Sequence, residues 1–353
     1  MRKSMKLGML KYSLVIGFLV LGNALLGASE ERDKKISKSF TVTSETTLVI
    51  ENSFGEIQMD TWDKDEFKVD IEIRVEGKNS DRAEKLLNAI EIDISETSGE
   101  VSIRTDIEQK LNTKGDESFE INYTVMAPAK NRIEIENQFG DTYIGERIGD
   151  AEIEIKFGNL KTEDFQGLLD LTLSFGKASI GNTTKSDIEI KYGDLRMGNG
   201  FSMDIEQQFS NLEIGDFQKI VMESKYGGVE LGTIGTLDAE VQFSKFQVEQ
   251  INQQLEMEGS YVSNFEVRKL SKDFESFRFY GKFSSLELNV EEGTSANIQA
   301  DMSFCKLKDY SEQIDFYYQS KDDTRKEYKG RLGAGDDQKK IVIKSSYGDV
   351  RIE

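Results

Sequence analysis

IEIENQFGDTYIG at 133–145, IEIKFGNLKTE at 153–163, LTLSFGKASIG at 171–181 and IEIKYGDLRMG at 188–198 are one pattern written four times. An alternating strand runs into an aromatic, then a glycine, a turn residue and a second short apolar strand. IEQQFSNLEIG at 205–215, MESKYGGVELG at 222–232 and AEVQFSKFQVE at 239–249 continue the series. The aromatics Phe139, Phe157, Phe175, Tyr192, Phe209, Tyr226 and Phe243 fall 18, 18, 17, 17, 17 and 17 residues apart. A fixed period this short predicts stacked coils and not separate domains.

Within one copy the alternation assigns faces. Ile188, Ile190 and Tyr192 share one side of a strand, while Asp187, Glu189 and Lys191 share the other. Gly193 and Asp194 supply a corner, the glycine being suited to it by its tolerance of positive φ, and Leu195 and Met197 return to the apolar side. The expected fold is therefore all-β: a single-chain β-solenoid (β-helix) with coils of about 17–18 residues. Its inward aromatics would stack from coil to coil at roughly 4.8 Å in a structural ladder. An antiparallel sandwich would have no reason to keep the spacing so constant.

Divergent copies extend the array at SYVSNFEV (260–267), KFSSLEL (282–288), SFCKL (303–307) and SSYGDVRI (345–352). The charged stretch 308–340 reads as an insertion forming a loop or hairpin. Three segments follow: 1–28, a leader; 29–132, a β-rich capping module; and 133–353, the repeat domain. In the module, EFKVDIEIRVEG, IEIDIS, EVSIRTD and FEINYTVMA alternate as strands. NSDRAEKLLNAI at 79–90 is a short helix with Ser80 as its cap and Ala83, Leu86, Leu87 and Ile90 on one face.

Arg2, Lys3, Lys6 and Lys11 precede the apolar run YSLVIGFLVLGNALLGA, the pattern of a secretory signal peptide cleaved after Ala28 or Ser29, with an uncleaved anchor as the competing reading. The chain is thus expected to be exported, to the periplasm or cell surface, with no span after cleavage. Its 353 residues carry 45 Lys and Arg against 65 Asp and Glu, a net charge of −20. Such a chain repels nucleic acid and anionic lipid. The single cysteine, Cys305, excludes an intramolecular disulfide, and the single proline, Pro128, suits a chain made mostly of strand.

The run GEIQMDTWDKDEFKVDIEIR, the helix DRAEKLLNAIEI, GEVSIRT and INYTVMAPAKNRIEIENQFGD, followed by serial FGD and YGD repeats, resembles the bacterial putative-adhesin family of exported β-strand-repeat proteins. The resemblance covers about residues 40 to 290 and includes the closing SSYGDVRIE. It implies a β-solenoid in the cell envelope. The chain departs from the family in its aromatic before the glycine, where many relatives carry a small polar residue, and in its late charged insertion.

Histidine is absent, which removes His-dependent nucleophile systems and metal sites. No phosphate-cradling or EF-hand loop is present. The repeat itself creates one constellation, a stripe of outward carboxylates: Glu134 and Glu136, Glu152 and Glu154, Asp187 and Glu189, Asp204 and Glu206, Asp238 and Glu240, and Glu256 and Glu258. Like charges on adjacent strands repel by a few tenths to about 1 kcal/mol per pair. Nearby lysines, a weakly held Ca²⁺ or Mg²⁺, or a cationic partner would offset this. No cofactor is expected beyond such Ca²⁺. Regular stripes offer no cleft for paired-carboxylate glycoside chemistry, so the expectation is no enzyme. What remains is an adhesin-like binding or scaffolding protein that engages an unidentified envelope protein or glycan and self-associates through the C-terminal edge. A carbohydrate-active β-helix and an envelope-stress signalling partner are the alternatives.

Overall fold

A computed structural model describes residues 29–108, 115 and 117–353; the leader expected at 1–28 lies outside them. The described chain is almost all strand, with 29 strands in one hydrogen-bonded sheet and one helix. All-β is what the alternating pattern called for.

The amino-terminal part supplies β1 (Glu30–Thr41), β2 (Thr47–Ser53), β3 (Ile57–Trp62), β4 (Glu66–Gly77), α1 (Ser80–Asn88), β5 (Ile90–Glu96), β6 (Glu100–Ile107) and β7 (Ser118–Pro128). β4 runs antiparallel between β1 and β7, and β5 pairs antiparallel with β6. The helix buries Ala83 and Leu86. Its cap is Asn79 and not Ser80: the Asn79 side chain accepts the Arg82 N–H at 2.9 Å. Ile90 belongs to β5, the helix having ended at Asn88.

Next come pairs of one longer and one shorter strand: β8 (Ile133–Gln138) and β9 (Thr142–Ile144), β10 (Ala151–Lys156) and β11 (Leu160–Thr162), β12 (Phe165–Ser174) and β13 (Lys177–Ile180). The series continues with β14 (Thr183–Lys191) and β15 (Asp194–Met197), β16 (Gly200–Gln208) and β17 (Asn211–Ile214), then β18 (Phe217–Lys225). In β19 (Gly228–Gln242) and β20 (Lys245–Ser260) the short strand of one repeat fuses with the long strand of the next. β21 (Asn264–Leu270), β22 (Ser276–Lys282) and β23 (Leu286–Val290) follow.

Each strand pairs in parallel with its counterpart one repeat away: Ile153 faces Leu171, Leu171 faces Ile188, and Leu195 faces Leu212. The long and short strands so form two series, whose inward side chains, such as Ile153, Ile155 and Leu160, merge into one hydrophobic cluster. The series continues into the amino-terminal part, where β2 pairs with β8 and β3 with β9.

At the far end lie β24 (Ala296–Ser303), β25 (Leu307–Asp309), β26 (Ile314–Lys321), β27 (Arg325–Leu332), β28 (Lys340–Ser346) and β29 (Val350–Ile352). Chain order and spatial order part here. β28 is inserted between β22 and β24, and β29 between β23 and β25. The strands of the closing SSYGDVRIE are thus paired on both sides. The charged insertion forms the antiparallel hairpin of β26 and β27, and β27 covers the free side of β24.

The corners differ from the sequence reading in one decisive respect. The aromatics do not point inward; they are 40–58% exposed, from Phe54 to Phe304. Each has a left-handed backbone, with φ of 51–62°. A residue at positive φ breaks the strand's alternation, so its side chain leaves the face that Ile188 and Ile190 occupy. The glycine that follows has no positive φ. Where it is a glycine the corners sit so close that a Cβ would overlap the backbone of the preceding one, as Gly158 would overlap the Gly140 carbonyl; Ser210, Ser244, Val262 and Ser284 fill the same position at other corners. Cys305 takes this same position, buried, its thiol donating to the Ser345 carbonyl at 3.4 Å.

Candidate functional site

Parallel pairing at a constant offset turns each repeated position into a column. Twelve exposed rings form the first: Phe54, Phe139, Phe157, Phe175, Tyr192, Phe209, Tyr226, Phe243, Tyr261, Phe283, Tyr347 and Phe304, in spatial order. Centroids are 4.7–5.0 Å apart and planes 1–12° from parallel. Phe119 closes one end edge-on against Phe54 at 5.0 Å. A left-handed backbone costs roughly 1–2 kcal/mol per residue, whereas an aromatic contact returns about 0.5–1.5 kcal/mol. The buried half of each ring adds roughly 1 kcal/mol, so the column is modestly favourable within one molecule.

The outward face of the long strands carries the carboxylates. The structure brings the sequence-predicted residues into two columns: Glu134, Glu152, Asp170, Asp187, Asp204, Val221, Asp238 and Glu256; and Glu136, Glu154, Thr172, Glu189, Glu206, Glu223, Glu240 and Glu258. Sequence reasoning omitted Asp170 and Glu223, which stand one repeat from Glu152 and Glu206. It also did not foresee that Val221 and Thr172 interrupt the columns.

Cations pair with six of these fourteen carboxylates. Arg132 pairs with Glu134 at 2.9 Å and Glu152 at 2.6 Å, and Arg278 with Glu256 at 3.3 Å. Lys156 pairs with Glu154, Lys191 with Glu189 and Lys225 with Glu223. Gln242 donates to Glu240 at 2.7 Å. Asp187 forms no ion pair: desolvation, then Asp170 and Asp204 on either side, hold its carboxyl above the usual range against the opposing pull of Lys185. Among the described residues no three carboxylates or thiols converge to hold a metal ion.

The third feature was not singled out in the sequence. A trough of about 960 Å³ runs across the short strands, from Glu56 and Gln58 to Glu230 and Lys245. One wall is the corner column of Asp141, Asn159, Lys177, Asp194 and Asn211; the other is the outward column of Tyr143, Lys161, Ser179, Arg196 and Glu213. Corner amides tie successive repeats: Asp141 accepts the Asn159 N–H at 2.8 Å, and Asn159 accepts that of Lys177 at 3.1 Å. Charges of both signs line the trough, with Arg196 on Glu213 at 2.7 Å and Lys177 on Asp194 at 3.3 Å. Tyr143 donates to Glu163 at 2.7 Å, and that bond pushes its hydroxyl up to about 12. The signal was present in the sequence as a second period-17 series, spread over short strands whose outward residues differ in type.

Among the described residues no helix is long and apolar enough to cross a membrane. No family model matches the chain, and no curated protein matches it. Several solved structures are similar to it, among them three bacterial proteins. A putative cell adhesion protein from Clostridium sporogenes is 11% identical over 91% of this chain and 99% of its own, with a TM-score of 0.21. A putative adhesin from Bacteroides fragilis is 12% identical over 91% and 97%, with a TM-score of 0.29. A putative adhesin from Parabacteroides merdae is 11% identical over 91% and 96%, with a TM-score of 0.30.

Proposed function

We propose that this chain is a non-catalytic, exported binding protein, a β-solenoid that holds an elongated polar ligand along its short-strand trough at the cell envelope. The observation that carries the reading is the trough itself, which is continuous over successive repeats and lined by paired charges of both signs. A ligand that spans several repeats meets the same corner chemistry every 17 or 18 residues, which suits a polymer better than a small molecule. A leader-like first 28 residues and the absence of histidine support export and a non-catalytic role. An envelope glycan containing both uronate and amino sugar matches the mixed charges most simply.

The experiment is affinity electrophoresis of residues 29–353 against soluble polymers of uronic acids, amino sugars and both. Retardation by a mixed-charge polymer, abolished in Lys161→Glu/Arg196→Glu, is the expected result. Retardation that survives this variant, or release of shortened polymer, contradicts it.

A further inference from the structure

The ring column is apolar, strained and uncovered at once. Its twelve rings are 40–58% exposed; with about 150–250 Å² on each aromatic side chain, they present on the order of 1,000 Å² in one continuous ridge. Soluble monomers seldom expose more than a few hundred Å² of continuous apolar surface, and a stable pair needs roughly 800 Å² from each partner. A left-handed backbone recurring at all twelve corners adds a second sign, since such strain concentrates where a surface is used.

The shape of the ridge limits what can cover it. Rings stacked face to face show only their edges, so a sugar ring has no flat face to lie on except at the Phe304 end. A comb of ring edges repeating at about 4.9 Å is best matched by a surface with the same repeat. A second copy of this chain carries one.

We infer that two copies pair side by side through their ring columns, about a two-fold axis parallel to the column. Charge selects this orientation. On one flank of each ring stands the preceding residue, including Lys156, Lys191 and Lys225; on the other stands the corner residue, whose charges are mixed: Asp141, Lys177, Asp194 and Lys245. An axis along the column sets the first flank of one copy against the second flank of the other. At the Tyr192 level Lys191 then meets Asp194 of the partner subunit, and from Phe139 to Phe243 no like charges oppose. The antiparallel alternative would set lysine flank against lysine flank. This pairing goes beyond the proposed ligand trough and does not depend on it.

Sedimentation velocity of residues 29–353 at tens of micromolar tests the inference. The expected result is twice the monomer mass, reverting to monomer in Phe175→Asn/Tyr192→Asn/Phe209→Asn. Asparagine tolerates the left-handed backbone, so the fold should persist. Independently of the rings, Lys191→Glu should raise the dimer dissociation constant about tenfold or more, and Lys191→Glu/Asp194→Lys should restore it. A wild-type monomer, or a dimer unaffected by both sets of variants, overturns the inference.

Discussion

The carbonyl oxygen of Gly55 fills the space that a Cβ on Gly140 would need, although 85 residues separate the two in the chain. Corner rests on corner in this way along the array, with Gly158 on Gly140 next in line. Gly158→Ala should therefore push two backbones apart and lower stability by about 2–3 kcal/mol. Gly99→Ala, whose Cβ would meet nothing within 4 Å, should change it by less than about 0.5 kcal/mol. Urea denaturation midpoints of the two variants check this; equal midpoints would mean that the corners are not in contact.

Phe175 stacks on Phe157 and on Tyr192, each at 4.9 Å. Phe175→Gly gives up those contacts, about 0.5–1.5 kcal/mol each, and relieves a backbone cost of roughly 1–2 kcal/mol. It also forfeits the burial of about half a ring, roughly 1 kcal/mol, so the net loss measured at protein concentrations where the chain is monomeric should stay below about 2 kcal/mol. Leu173→Ala, two residues earlier and fully buried, should cost about 2–5 kcal/mol. A loss at Phe175 as large as that at Leu173 would put the ring inside.

Asp187 titrates above its ordinary value, chiefly through desolvation and then through Asp170 and Asp204. A carboxyl raised in the folded state favours folding fully below its unfolded pKa, and that contribution is lost as pH rises through the folded pKa. Asp187→Asn should thus raise the melting temperature at pH 7, by the equivalent of a few tenths of a kcal/mol. The gain should fade as pH drops below about 4. Thermal melts at pH 7 and pH 3.5 read the difference; a lower melting point of the variant at pH 7 would contradict it.

Arg147 is buried, with its Nη2 donating to the Asn131 carbonyl and its Nε and Nη1 without a partner. Burial lowers its pKa to about 10. Folding is thereby disfavoured by the buried, charged guanidinium. Arg147→Met should stabilise the protein at pH 7 by about 1 kcal/mol or more, read as a higher urea denaturation midpoint. Destabilisation by about 3–5 kcal/mol would instead mean that the charge is compensated.

The repeat was legible because it is written in the most conspicuous residues: rings 17 or 18 apart fix which strand lies over which, and the carboxylate columns follow from the same offset. Ring direction was not legible. Period-two alternation carries Tyr192 onto the side of Ile188 and Ile190, and only a backbone dihedral, φ of 55° at Tyr192, reverses it. The insertion of β28 between β22 and β24 joins strands far apart in sequence, and no local pattern encodes it. The helix was legible from Ala83 and Leu86, but Asn79 and Ser80 are both good caps, and hydrogen bonding chose the first.

The stacked register is tested most directly by a cross-link across one repeat. Lys161 and Ser179 are paired Cα partners on neighbouring parallel strands, and both side chains face outward. In a Cys305→Ser background, Lys161→Cys/Ser179→Cys should oxidise to a single intramolecular disulfide with the fold intact. Lys161→Cys/Arg196→Cys spans two repeats, roughly 10 Å, beyond disulfide reach, and should not. Efficient cross-linking of the second pair and not the first would contradict parallel stacking one repeat apart.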